Sequence, residues 1–176
     1  MKAILLITLS LFITSCSALN ATSNKEAVKE SYTLESTKLV NNLAIAAQPS
    51  KKTLNNVQKE GYEIVVNLRN PNEFKDYNEA KYVSEMNLKY YNIPFFDKKK
   101  NINKRSLSLI SKLLKDNKDK KVFIHCSSGN RAAAWYLSHL YIHENMSLED
   151  ATKIARNAGL TKPGLERMIR NAIKDK

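Results

Sequence analysis

Short β-branched runs alternate along the chain with segments whose apolar residues recur at helical spacing. The runs at 38–46, 63–68, 89–95 and Lys121–His125 read as strands. The last two of the first three close at Asn70-Pro71-Asn72 and Pro94, and Gln48-Pro49-Ser50 closes the first. Between them lie predicted helices. Ser50 caps one that reaches Glu60 and stops at Gly61. Another covers 76–86, and a third covers 103–116, with Leu107, Ile110, Leu113 and Leu114 on one face. After Cys126 the pattern is helical throughout. One helix runs from Arg131 to about 144, one opens at the capping box Ser147–Asp150, and one begins near Pro163 and ends about 173. Strands alternating with helices predict an α/β domain. Its central, mostly parallel sheet of about four to five strands is flanked by helices, and its C-terminal part is all helical.

The two ends follow other rules. Ala3 to Thr14 is an apolar run behind Met1-Lys2, too short to cross a bilayer comfortably. Ile13-Thr14-Ser15-Cys16 resembles a bacterial lipobox, in which the Cys becomes lipidated at a new N-terminus. Residues 1–16 are therefore expected to be a lipoprotein signal peptide with Cys16 as the lipidation site. The resemblance implies an exported protein, anchored in the outer membrane and facing the periplasm. Residues 17–36 are mostly Ser, Asn, Thr, Lys and Glu and read as a flexible tether. The folded domain is expected over 37–176.

Charge and cysteine count sharpen this picture. Lys plus Arg number 29 against 17 for Asp plus Glu, which favours anionic partners and says nothing about fold. With Cys16 lipidated, Cys126 is the only other cysteine, so the domain has no internal disulfide to make. A lone thiol in an oxidising compartment is a liability unless it has a task.

That task is legible in His125-Cys126-Ser127-Ser128-Gly129-Asn130-Arg131, which lies between a strand and a helix. Alone, a cysteine after a strand reads as a small buried hydrophobe. Gly129 and Arg131 change that reading. Small residues let the backbone of Ser127, Ser128, Gly129 and Asn130 curl into a cradle of N–H groups at a helix start, which binds an oxyanion. The same field favours a thiolate at Cys126. The planar fork of Arg131 suits two oxygens of a bound phosphate. Together they make a site for nucleophilic catalysis on an oxyanion ester. His125 is expected to orient the loop. Asp97, ending a strand at the same sheet edge, is the candidate general acid for the leaving oxygen. Arg69 and Glu73 follow another strand to that edge, as support for the loop or as a surface pair.

These features resemble the cysteine-dependent phosphatases of the tyrosine and dual-specificity type. The closer resemblance is to the bacterial beta-lactamase-hydrolase-like phosphatase domain. It is carried by Ala47-Gln48-Pro49-Ser50, Val66-Asn67-Leu68-Arg69, Tyr91-Asn92-Ile93-Pro94, the loop itself, and the stretch from Ile154 to Leu160, across residues 44–173. It implies a phosphocysteine intermediate on Cys126, Arg131 on the phosphoryl oxygens, Asp97 as acid, and no metal or organic cofactor. The implied partners are an anionic phosphorylated substrate and, through the lipid, a membrane; nucleic acid is not among them. Two departures keep a rival open. Phosphatases of that type hold one residue more between Cys and Arg than the four here, and Ala132 stands where they carry Ser or Thr. The shorter loop resembles that of rhodanese sulfurtransferases, which carry a persulfide on the Cys. A non-catalytic anion-binding lipoprotein is the third class.

Overall fold

The computed structural model describes residues 29–30, 37–75 and 77–174. The six-strand sheet runs in the order β1 (Lys29–Glu30), β2 (Thr37–Val40), β3 (Leu43–Ala46), β6 (Lys121–His125), β4 (Tyr62–Asn67), β5 (Lys89–Asn92). The four strands β3, β6, β4 and β5 pair in parallel; β1 and β2 extend the sheet antiparallel. Parallel pairing needs crossovers, and the helices supply them. They are α1 (Lys51–Lys59), α2 (Glu79–Glu85), α3 (Lys104–Asp116), α4 (Asn130–Ile142), α5 (Leu148–Asn157) and α6 (Pro163–Ile173).

Alternation along each strand sorts the side chains between two cores. Leu43, Ile45, Ile64, Val66, Val122 and Ile124 face the larger core, where α3 to α6 lie. Ala44, Ala46, Val65 and Phe123 face the smaller one, covered by Leu54 and Val57 of α1 and Val83 of α2. α4 is central to the larger layer and packs against α3, α5 and α6. Its residues from Ala132 to Ser138 are all buried, with three alanines giving way to Trp135. The Trp135 indole N–H donates to the Leu107 carbonyl at 3.2 Å, so its one polar atom is satisfied.

The α/β sheet with helices on both faces and an all-helical end is as the pattern predicts. No strand follows Cys126 among the described residues, only an isolated bridge between Ala47 and Ser128. Three local differences have clear causes. The run expected as one strand over 38–46 is a hairpin, because Asn41 takes a left-handed φ of 52° and Asn42 completes the turn. The helix expected over 76–86 starts at Glu79, since the Asn78 side chain accepts from the Lys81 N–H and fixes the start there. Lys29 and Glu30, inside the expected tether, pair with β2. Cys16 and the rest of the signal peptide lie outside the described residues.

Candidate active site

β6 is inserted between β3 and β4, so its carboxyl end is flanked by theirs. The Cys126 N–H reaches the Ala46 carbonyl at 3.3 Å on one side, and the Leu68 N–H reaches the His125 carbonyl at 2.9 Å on the other. In open α/β sheets, ligands bind in the crevice beyond such strand ends. The chain then turns through Ser127 and Ser128 into Gly129, which is the N-cap of α4 in a left-handed conformation, φ 81°. A side chain at 129 would be strained by that φ and would touch the Ala46 backbone. Among the described residues, the N–H groups of Ser127, Ser128, Asn130 and Arg131 donate to no backbone carbonyl. α4 also has no side-chain cap. These are the free donors that a helix start offers to an anion.

Cys126 is a free thiol with no exposed surface; Ser127 and Ser128 are exposed, while Gly129 and Asn130 are buried. Arg131, in the first turn of α4, is held by Glu73. Its two terminal nitrogens donate to the two Glu73 oxygens, each at 2.7 Å. Burial pulls the Arg131 pKa down, but the Glu73 hydrogen bonds and the Cys126 and Glu73 charges raise it above its ordinary value. On Glu73, the Arg131 hydrogen bond outweighs burial and holds the carboxyl below its usual range, with help from the Asn70 N–H and the charges of Arg131 and Arg69. Glu73 is placed by a short 3-10 turn, Pro71–Glu73, in which Pro71 begins the turn and the Asn70 N–H donates to Glu73 Oε1 at 2.8 Å.

Beneath the loop lies a polar cluster. His125 is fully buried, and its ring is on the α1–α2 face, against Phe123. The Cys126 sulfur is on the opposite face, in the larger core. His125 Nε2 is 2.8 Å from Oε1 of Glu79, which is only 7% exposed. Asn67 Nδ2 also reaches Glu79 Oε1, at 3.3 Å, and the Gln48 side chain donates to Oε2. Burial pushes the Glu79 carboxyl up, but His125, Gln48 and the Arg69 charge together hold it below its ordinary value. Among the described residues, the buried His125 Nδ1 has no hydrogen-bond partner.

The structure brings most of the expected site residues together. Ser127, Ser128, Asn130, Arg131 and Asp97 line one cleft of about 950 Å³, with Glu73 on its wall. Asn130 does more than lend a backbone N–H: its side-chain oxygen accepts from the Thr161 and Lys162 N–H groups, both at 2.9 Å, tying the loop to the start of α6. Arg69 donates to Gln48 Oε1 at 2.6 Å and to the Glu73 carbonyl. Asp97 is in the cleft, but its Oδ1 accepts from Lys99 and Asn101 N–H groups of its own loop, at 2.8 and 2.9 Å. Oδ2 accepts from the Asn101 amide at 3.5 Å. Glu79 escaped the sequence reading. The one available signal was Asn78 as a helix cap, which puts Glu79 in the first turn at the carboxyl end of the sheet.

The family model described as "Rhodanese-like domain" matches residues 50–155. No curated protein matches the chain. Among solved structures, the chain is similar to a putative phosphatase (DUF442) from Shewanella putrefaciens. The two share 22% identity over 78% of this chain and 91% of that one, with a TM-score of 0.60. It is similar to P. aeruginosa TpbA, solved in complex with phosphotyrosine, at 11% identity over 88% and 92% of the chains, TM-score 0.68. The core catalytic domain of the PP-IP phosphatase SIW14 from S. cerevisiae is alike at 14% identity, over 77% and 84%, TM-score 0.61. At these identities the likeness is one of fold, and the fold is that of the dual-specificity-type phosphatases.

Proposed function

We propose that this chain, which belongs to the rhodanese-like domain family, is a cysteine-dependent phosphatase that hydrolyses phosphate monoesters through a phosphocysteine intermediate. The carrying observation is the buried Cys126 at the end of β6, followed by a helix start whose N–H groups take no backbone carbonyl and whose first turn carries Arg131. An ionised sulfur attacks phosphorus, and the P–O bond to the leaving alcohol breaks. Asp97 gives its carboxyl proton to the departing oxygen. Water then attacks the phosphocysteine and returns a proton to Asp97, releasing inorganic phosphate and the thiolate. Arg131 and the loop N–H groups stabilise the equatorial oxygens in both steps. The incoming phosphate competes with Glu73 for the guanidinium. Lys98, Lys100 and Lys162 on the cleft wall attract an anionic substrate, and Phe96, Leu165 and Met168 accommodate an apolar body. Neighbours of the same fold are named as phosphatases, which supports this chemistry.

One observation favours a second reading. The family match, together with the four residues between Cys126 and Arg131, suits a sulfurtransferase. There, the thiolate takes the outer sulfur of thiosulfate and releases sulfite, and the persulfide passes that sulfur to cyanide. Intact-mass analysis of the domain after mixing with each substrate separates the two. The phosphatase reading expects a phosphoryl adduct from an aryl phosphate; a sulfur adduct from thiosulfate, with none from the phosphate, overturns it. We further propose that Cys16 carries lipid and holds the protein at the outer membrane, facing the periplasm. Incorporation of labelled fatty acid that survives Cys16→Ala would refute that.

A further inference from the structure

We propose that Glu79 is a positioning residue for both halves of the reaction centre, joining the backbone of Cys126 to the guanidinium of Arg131 through one continuous polar chain. The inference rests on the phosphatase reading of the loop and deepens it.

Each link is a short contact between residues from a different element. Glu79 stands in the first turn of α2. One arm runs from its Oε1 to His125 Nε2, 2.8 Å away, and His125 is the residue bonded to Cys126. The carboxylate requires the proton on Nε2 and so fixes the ring, and with it the end of β6. The other arm runs from Oε2 to the Gln48 amide, then from Gln48 Oε1 to Arg69, 2.6 Å away. Arg69 donates to the Glu73 carbonyl, and Glu73 grips Arg131 with both oxygens. Asn67 and, through it, Tyr90 join the same carboxylate from β4 and β5. The ends of β3, β4 and β6 are thus tied, directly or through the residues just after them, to a single buried acid, and β5 joins through Tyr90 and Asn67.

A buried carboxylate is costly unless hydrogen-bonded on every side. A cheaper solution for the fold would be an apolar residue facing Val83 and Phe123. The acid is explained by what it holds: the backbone that carries the Cys126 sulfur and, through Glu73, the guanidinium of Arg131, which must meet at one oxyanion. Misplacement of such groups by about 1 Å costs on the order of 10²-fold in rate.

The test uses the full chain and two readouts that do not need turnover. One is the pH midpoint of Cys126 alkylation by iodoacetamide; the other is affinity for inorganic phosphate. Glu79→Gln keeps the shape and removes the charge. We expect its alkylation midpoint to rise by about one pH unit and its phosphate affinity to fall about tenfold or more. Loss of a nearby negative charge acting through space would lower the midpoint, so a downward or absent shift overturns the proposal. Gln48→Leu cuts only the second arm. We expect about tenfold weaker phosphate binding with the alkylation midpoint in place; unchanged affinity overturns the proposal, even if Glu79→Gln does not fold. Should the wild-type chain neither react with iodoacetamide nor bind phosphate, it is the phosphatase reading that fails. Wild-type reactivity and binding, matched by both variants, would sink only the role of Glu79.

Discussion

Two loops meet at the carboxyl edge of the sheet, and they are held in opposite ways. The loop from Cys126 to Arg131 is tied from outside itself: to β3 through Ala46, to α2 through His125, to the 3-10 turn through Arg131, and to the α6 start through Asn130. The loop from Asp97 to Asn101 is tied mainly to itself. Asp97 closes it with two bonds to its own backbone, Lys100 sits at a left-handed φ of 63°, and Lys98 to Lys100 are exposed. The first loop depends on the whole fold and the second on local turn chemistry. Damage to the first should therefore spread, whereas damage to the second should stay where it is made.

The sharpest way to break that comparison is at the sulfur. Cys126→Ser should reduce hydrolysis of an aryl phosphate by about 10⁴-fold or more while phosphate still binds, because the cradle is backbone. Turnover within tenfold of wild type would end the nucleophilic account. The second loop gives a smaller effect. Asp97→Asn should lower kcat by roughly 10²–10⁴-fold and flatten the limb of the pH–rate profile that reports the acid, with little change in melting temperature. An unchanged profile removes Asp97 from proton transfer and leaves it as a loop brace.

The smallest expected effect is on stability. Glu73 and Glu79 have folded-state pKa values held below 4.5, so the unfolded chain binds more protons than the folded one as pH falls. Their contribution is complete above that value and drains away as the pH drops through their lowered folded values. Melting temperature should accordingly decline on acidification below about pH 4.5, and Glu79→Gln should show a shallower decline. An equal slope in both proteins would mean the buried acid has no share in it.

Much of this was readable from residue order, and what escaped has physical causes. The strand, cysteine and helix of the first loop follow from local pattern, because Val122 to Ile124 is a continuous apolar run and Gly129 marks the turn. The hairpin at Asn41-Asn42 was hidden because apolar residues on both sides merge into one run. Glu79 was invisible for a deeper reason. A glutamate after an asparagine at a helix start has the same local signature whether it is solvated or buried. Its role exists only when β3, β4 and β6 bring Gln48, Asn67 and His125 around it. Glu73 was placed at the right edge, but no sequence pattern could say that it would hold Arg131 with both oxygens.

The zero exposure of the sulfur bears on how the protein endures in air. Joining two chains through a disulfide needs their Cβ atoms within about 4 Å of each other, and no second molecule can bring its own sulfur beneath the 126–131 backbone. Stored material should therefore stay free of covalent dimers joined through Cys126, although a small oxidant that reaches the atom would still modify it.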